Sequence, residues 1–176
     1  MPPPMYRQMF PDAERSDLFK RLSVYPVRPG TRDFFVHFHT EVLAVKTWEE
    51  QKGFYLPWGV NCAVPETLQH TFLYCSNAEL FWAQLRATLK IKLYPTWHSM
   101  KFLVTPDPQQ SRCYELLSLM GLHAIWNSRT DHTLVRERGK STWRHFLDGF
   151  KYTSSVTKET SFEETEHWER FQSLVK

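Results

Sequence analysis

The chain has 176 residues, 41% of them hydrophobic, which suffices for one domain with a buried core and excludes a globally disordered protein. Its net charge of +3 and pI near 8.8 are only mildly basic, so bulk charge alone does not indicate a nucleic-acid-binding protein. No apolar run approaches the about 18 residues of a membrane-spanning helix, so we expect no membrane partner.

The first 30 residues contain six of the 11 prolines. Proline removes a backbone donor and interrupts helices, so we predict a mostly irregular arm over residues 1–30. A short amphipathic patch lies within this arm at residues 17–22.

Helical spacing begins directly after the arm. Phenylalanines and valines recur at steps of three and four residues, which predicts a helix over residues 31–45. A second short helix is expected over residues 46–52, stopped by Gly53. An extended apolar segment then follows at residues 54–59, because the residue before a proline is disfavoured in the α region.

The clearest helix start is at Ser76. Ser76 and Glu79 have the spacing of a capping box, in which the hydroxyl and the carboxylate each accept from a backbone N–H. Apolar residues then continue at helical spacing up to Leu89. Residues 95–108, bounded by prolines, are predicted to form a loop that contains a short apolar stretch at residues 100–104.

The longest helix is predicted over residues 111–129. Its apolar residues form two stripes, so we expect it at the centre of the core. Gly121, in its middle, costs about 1 kcal/mol relative to alanine, and we therefore predict close packing against a neighbouring element.

Two more helices are expected toward the end of the chain. One contains Trp143, Phe146 and Phe150, with Ser141 as its cap, and the other is an acidic amphipathic helix over residues 162–175. The whole pattern predicts a mainly α protein of about five or six helices with one zinc-knuckle-like loop. We divide it into an irregular arm (1–30), a helical zinc-binding-like domain (31–158) and an acidic C-terminal helix (159–176).

One spacing is typical of metal ligands: Cys62, then His70 after seven residues, then Cys75 after four more. Thiolates and a neutral imidazole suit zinc, but a structural zinc site needs four ligands and this pattern supplies three. A chance cluster is the alternative interpretation. The three cysteines are an odd number without a signal-peptide pattern, which favours an intracellular protein with reduced thiols, nuclear or cytoplasmic.

The residues around this spacing carry a family resemblance. The run Pro65-Glu-Thr-Leu-Gln-His-Thr-Phe-Leu-Tyr-Cys75, followed by Ala78-Glu-Leu-Phe-Trp82, resembles the reverse-transcriptase zinc-binding domain of non-LTR (LINE-type) retrotransposons. That domain lies C-terminal to the polymerase. The stretch Leu119-Met-Gly-Leu-His-Ala-Ile-Trp-Asn-Ser-Arg129 is similar to a helix of the same family. The resemblance covers about residues 30–150.

The resemblance implies a zinc site at Cys62, His70 and Cys75. The family pattern has two cysteines two residues apart, whereas this chain has one. If Cys62 matches the second, Gly59 stands at the first ligand position. If Cys62 matches the first, a short deletion has removed the second, and we favour this alignment.

The missing fourth ligand must come from elsewhere. Candidates are a nearby histidine, His37 or His39, or a water. The loss of one ligand of four removes much of the binding free energy of a structural zinc site. For both histidines, a solvated or hydrogen-bonded side chain is the alternative.

A basic segment follows the predicted central helix. Between residues 129 and 158, seven basic residues face three acidic ones. The candidates for nucleic-acid contact are Arg129, Arg136, Arg138, Lys140, Arg144 and Lys151. This pattern favours phosphate contacts or, alternatively, ordinary solvated helix faces. The resemblance implies RNA or DNA as the partner, and the polymerase domain as a second partner if the chain is part of a longer product.

No sequence pattern indicates catalysis. We find no Gly-rich phosphate loop, no nucleophile and base at a known spacing, and no Tyr/Phe-x-Asp-Asp run of the kind that holds catalytic metal ions in reverse transcriptases. We therefore expect a non-enzymatic accessory domain without a small-molecule substrate. A decayed transposon remnant and a helical protein–protein interaction module are the alternatives. His123, Cys113 and most tryptophans are expected to be core residues.

Overall fold

The computed structural model describes residues 18–45, 66–104, 111–134, 140–157 and 165–175, and within these ranges the regular structure is helical. The helices are α1 (Leu18–Val24), α2 (Pro29–His39), a π-helical turn (His70–Tyr74), α3 (Ser76–Leu89), α4 (Trp97–Phe102), α5 (Ser111–Leu134), α6 (Thr142–Thr157) and α7 (Thr165–Leu174). The predicted mainly α fold is confirmed. The predictions of a helix at 46–52 and an extended segment at 54–59 lie outside the described residues.

Helix α5 forms the centre of the core, as its two apolar stripes predict. Residues 113–122 are buried on every side of the helix, because α2, α3, α6 and the π-helical turn all pack against it. The largest of these interfaces is with α6. The helix continues to Leu134, five residues beyond the predicted end at Arg129.

Gly121 permits close contact between two helices of this core. A Cβ at this position would lie 2.8 Å from Cε1 of Phe81 and 2.8 Å from Cη2 of Trp82, both on α3. The prediction that this glycine allows close packing is therefore confirmed, and the partner is α3.

Helix α1 lies where the sequence predicts an irregular arm. Leu18 and Leu22 are buried one turn apart, and Arg21 forms an ion pair of 2.7 Å with Glu115 of α5. Arg21 also donates to the carbonyl of Leu103 at 3.1 Å. The first seven described residues of the arm thus form a helix anchored on the core. Pro26 and Pro29 of the arm do not interrupt α1, because both follow its last residue. Residues 1–17 lie outside the described part.

Helix α2 begins at Pro29 and ends at His39, whereas the prediction ran from 31 to 45. Beyond the helix the chain turns through Glu41, which has a positive φ of 60°. The buried ammonium of Lys101, on α4, donates to the His39 carbonyl at 2.6 Å and to the Glu41 carboxylate at 2.9 Å. This long-range contact holds the turn, and helical periodicity cannot reveal it.

Helix α4 lies within the predicted loop at 95–108. The Thr96 hydroxyl accepts from the Ser99 N–H at 3.1 Å, and the Ser99 hydroxyl accepts from the Thr96 N–H at 2.8 Å. These two bonds form a capping box. Its third helical residue is serine instead of the usual glutamate or glutamine, so the common sequence signature misses it.

The capping box predicted at Ser76 is wrong. Cys75 occupies the N-cap of α3 with extended backbone angles, and its side chain makes no capping hydrogen bond. Ser76 is already helical. The prediction that Ser141 caps α6 is confirmed, because its hydroxyl accepts a hydrogen bond from the Arg144 N–H at 3.3 Å.

We predict that Gly121→Ala destabilises the protein by up to about 2 kcal/mol net, because overpacking of the new methyl group against Phe81 and Trp82 costs about 1–3 kcal/mol. This cost exceeds the gain of about 1 kcal/mol in helix propensity. Urea unfolding measures the difference.

The matched control is Gly149→Ala in α6. There a Cβ would meet only Met120, at an ordinary 3.9 Å. This variant is expected to be neutral or more stable than the wild type, by up to about 1 kcal/mol. Equal stability changes in the two variants would contradict the close-packing interpretation.

Candidate functional site

A π-helical turn joins two of the three predicted zinc ligands. The Cys75 N–H donates to the His70 carbonyl at 2.6 Å, an i→i+5 bond that closes one wide turn between the two residues. Single π-helical turns are rare and are frequent at functional sites. The turn brings the backbones of His70 and Cys75 within one helical turn of each other.

The His70 imidazole has a buried nitrogen. Its Nε2 atom is buried and has no hydrogen-bond partner among the residues that the structure describes, while its backbone N–H donates to the Thr67 hydroxyl at 3.1 Å. A buried polar atom without a partner is costly, so this nitrogen favours contact with a further group. Cys75 is not in a disulfide and stands at the N-terminus of α3, where the helix dipole favours an anionic ligand atom.

The rest of the predicted zinc set is not assembled among the described residues. Cys62 lies outside them. Nδ1 of His39 donates to the Lys101 carbonyl at 2.6 Å, and Nδ1 of His37 donates to the Asp33 carbonyl at 2.7 Å. Within the described part of the chain, no three His, Cys, Asp or Glu side chains form a metal-holding group. Neither histidine therefore completes a set with His70 and Cys75.

The two stretches that carry the family resemblance pack against each other. Glu66, before the π-helical turn, forms a largely buried ion pair with Arg129 of α5. The rings of Phe72 and Trp126 stack with centroids 6.3 Å apart. The indole N–H of Trp82 donates to the Phe72 carbonyl at 2.9 Å. The motif residues thus build a shared structural core around the turn.

This packing determines the surroundings of Arg129, one of the predicted nucleic-acid contacts. Its guanidinium is ion-paired with Glu66 and lies 4.9 Å from the ring centroid of Trp126. Only 13% of its side chain is exposed. Separating a buried ion pair costs several kcal/mol. Arg129 therefore stabilises the fold and is poorly suited to bind a phosphate.

Three other predicted contacts lie along α6 or just before it. Arg144 and Lys151 are exposed, and with Asp148 they share one side of the helix because they are three to seven residues apart. Lys140 forms an ion pair of 2.9 Å with Asp148, and its backbone N–H donates to Asp131 at 3.3 Å. Arg136 and Arg138 lie outside the described residues.

The structure adds Arg28, a cation that the sequence reasoning missed. Its guanidinium donates to the Asp148 backbone carbonyl at 3.1 Å and lies 5.4 Å from the Tyr152 ring centroid. No sequence signal could have found it, since 120 residues separate the two partners. We define the basic face as Arg28, Lys140, Arg144 and Lys151.

The pKa of Asp148 reflects the positive charge of the basic face. Its hydrogen bond from Lys140 lowers the pKa of this carboxyl, and the charges of Lys140, Arg28 and His145 lower the pKa further. The carboxylate therefore sits in a positive environment. A phosphate approaching the same side of α6 would meet these cations as well.

His123 is a satisfied core residue, as predicted. Its Nδ1 is hydrogen-bonded to the Thr31 hydroxyl at 2.9 Å, and its ring stacks on Phe34 with centroids 4.9 Å apart. Burial lowers the pKa of His123 to about 4, with smaller contributions from the charges of His145 and Arg28. The imidazole is therefore neutral at pH 7. Cys113 is also fully buried in α5.

No protein-family model, curated protein or solved structure matches this chain. The resemblance to the retrotransposon domain therefore rests on the residues quoted above. Within the described ranges, none of the helices combines the length and the apolarity needed to cross a membrane.

We predict that His123 makes the protein less stable at acidic pH. Its pKa is lower in the folded chain than the ordinary 6.5, so between pH 6.5 and about 4 the unfolded chain binds the extra proton. Stability due to this residue is complete above pH 6.5 and is lost as the pH falls, by about 2–3 kcal/mol at pH 4.5. Urea unfolding at pH 7.5 and 4.5 measures the loss.

His123→Asn keeps a polar partner for Thr31 and should reduce this pH dependence. The control is His98→Asn, which replaces an exposed histidine and should leave the dependence unchanged. If wild type and His123→Asn lost equal stability between pH 7.5 and 4.5, His123 would not be the source of the pH dependence.

Proposed function

We propose that this chain is a non-catalytic nucleic-acid-binding module, a retrotransposon-derived fragment similar to the zinc-binding domain C-terminal to the polymerase in non-LTR reverse transcriptases. It binds RNA or DNA through the basic face of α6. The observation that supports this proposal is the positive environment of Asp148, created by cations from two distant parts of the chain.

The basic face has the properties of a phosphate-binding surface. Arg28, Arg144 and Lys151 are exposed, and more than half of the Lys140 side chain is exposed. Asp131 and Asp148 neutralise part of this charge, but among the described residues the basic face has four cations and these two carboxylates. Lysine and arginine contacts to phosphates release counterions and provide sequence-independent affinity. This arrangement suits an accessory domain that helps a polymerase hold its template or target.

We predict that Arg144→Ala/Lys151→Ala weakens binding to RNA and DNA and makes it less dependent on salt. Each lost phosphate contact should reduce the slope of log affinity against log salt by about 0.7–0.9. Filter binding or fluorescence anisotropy over a salt series measures both quantities.

Lys20→Ala/Arg170→Ala is the control, because it removes the same charge at two exposed positions of α1 and α7. It should leave the slope near that of wild type. If the two double variants lost affinity and salt dependence equally, the basic residues of α6 would be ordinary solvated ones. A wild-type affinity no higher than that of a neutral protein would refute the proposal.

Zinc is the cofactor that the resemblance implies, and Cys62, His70 and Cys75 would hold it. The buried Nε2 of His70, for which no described residue is a hydrogen-bond partner, and the position of Cys75 at a helix N-terminus fit such a group. A zinc ion with these ligands would be structural: it would fix the π-helical turn against α3 without taking part in a reaction.

If a fourth ligand completes the site, the purified protein contains zinc, and we predict that His70→Gln and Cys75→Ser then each lower the zinc content severalfold, because a structural site loses much of its affinity with one ligand. Elemental analysis measures the metal-to-protein ratio. Cys113→Ala, which removes a buried thiol of α5, is the control and should retain the metal. A metal-free wild type would favour a decayed remnant whose core still folds.

The interaction-module alternative finds less support. It relied on the amphipathic C-terminal helix, but Trp168 and Phe171 of α7 are buried, and the Trp168 ring stacks on Phe150 of α6 with centroids 4.8 Å apart. The indole N–H donates to the Ser154 hydroxyl at 3.1 Å. The apolar face of α7 is thus covered by the chain itself. An intracellular location, in nucleus or cytoplasm, completes the proposal.

A further inference from the structure

The segment that follows α3 presents its side chains alternately inward and outward. Lys90 ends the helix in a left-handed conformation, with φ 53° and ψ 48°. Ile91 and Leu93 are then buried, whereas Lys92 and Tyr94 are exposed. This alternation is the period of two that extended backbone imposes. The two buried residues therefore anchor the segment and place Lys92 and Tyr94 on the solvent side.

Tyr94 is a large aromatic residue held in solvent. Its side chain is 70% exposed, and the guanidinium of Arg86 lies 4.6 Å from its ring centroid. Arg86 also donates to the Leu93 carbonyl at 3.3 Å, so its position over the ring is fixed from the backbone. The ring is thus oriented by a cation on one side, and most of its surface is open to other molecules.

The described side chains around this ring carry positive charge. No aspartate or glutamate occurs between Glu79 and Asp107 in the sequence. Among the ion pairs of the described residues, none involves Arg86, Lys90 or Lys92. The charge of the basic face, in contrast, is partly neutralised, because the carboxylates of Asp131 and Asp148 lie within it.

We propose that Arg86, Lys90, Lys92 and Tyr94 form a binding surface for single-stranded nucleic acid, which we call the Tyr94 platform. An unpaired base stacks on the Tyr94 ring, and the lysines contact the phosphates on either side of it. Exposed aromatic residues in positively charged surroundings bind single strands in this way, with little dependence on sequence. The guanidinium of Arg86 reinforces the ring from its other side.

Charge and shape together favour a single strand as the occupant. Three cations that form no ion pair within the described part of the chain complement a polyanion. The exposed ring adds nothing to phosphate binding, and a base inside a duplex is already stacked on its neighbours. A single strand is therefore the ligand that uses both features. The Tyr94 platform is separate from the basic face and shares with the proposed function only the class of ligand.

The test compares three ligands by fluorescence anisotropy: a single strand of about 12 nucleotides, a strand of equal length without bases, and a duplex. Tyr94→Ala should weaken binding of the base-containing strand about tenfold, which is within the effect of removing one stacking aromatic residue. Its affinity for the base-free strand and for the duplex should stay within about twofold of wild type, because the phosphate contacts remain.

Two further variants separate stacking from charge. Tyr94→Phe keeps the ring and should bind all three ligands as the wild type does. Lys90→Ala/Lys92→Ala should lower the salt dependence for both single strands, by about 0.7 per lost phosphate contact. These side chains are exposed, so the variants are expected to fold, and unfolding curves check this.

The Tyr94 platform and the basic face can fail independently. If Tyr94→Ala binds the base-containing strand as tightly as wild type, or loses affinity equally for both single strands, the platform is refuted. If instead Arg144→Ala/Lys151→Ala has no effect while Tyr94→Ala does, the basic face is refuted and the platform stands. A wild type that binds none of the ligands refutes both.

Discussion

Because residue 121 has no Cβ, the rings of Phe81 and Trp82 rest directly on α5, and much of the described fold follows from this contact. With Trp82 held there, its indole N–H reaches the Phe72 carbonyl and fixes the π-helical turn. Phe81, from the same helix, packs edge-on against Phe146 with centroids 5.5 Å apart and so positions α6. One glycine thus connects the turn that carries His70 to the helix that carries the basic face.

Burial divides the described cations of this chain into two groups. Arg21, Lys101 and Arg129 pair with Glu115, Glu41 and Glu66, respectively. These pairs tie α1, the end of α2 and the π-helical turn to the rest of the core, where a separated partner would be costly. The cations of the basic face and of the Tyr94 platform remain on the surface. Surface cations contribute little to stability and are therefore available for a ligand.

The sequence predicted those features that depend on neighbours in the chain. Helices α3, α5 and α6 follow from apolar residues at steps of three and four, and the close packing at Gly121 follows from a glycine inside such a pattern. Prediction failed where a distant contact decided the local structure. After the end of α2 the Glu41 carboxylate accepts a hydrogen bond from Lys101, and Arg21 of α1 pairs with Glu115 of α5 and donates to the Leu103 carbonyl. Contacts of this kind, 60 or more residues apart in sequence, are not visible in the local pattern.

The same distinction applies to the candidate site. The sequence alone determined the spacing of His70 and Cys75, the basic residues Lys140, Arg144 and Lys151, and the helical class of the protein. Only the tertiary structure joined Arg28 to Asp148 across 120 residues, Thr31 to His123 across 92, and Glu66 to Arg129 across 63. The periodicity of apolar residues predicts which side of its own helix a side chain lies on. It does not predict which distant residue that side chain contacts. Arg129 therefore had the sequence pattern of a surface cation, and the fold made it the partner of a buried carboxylate.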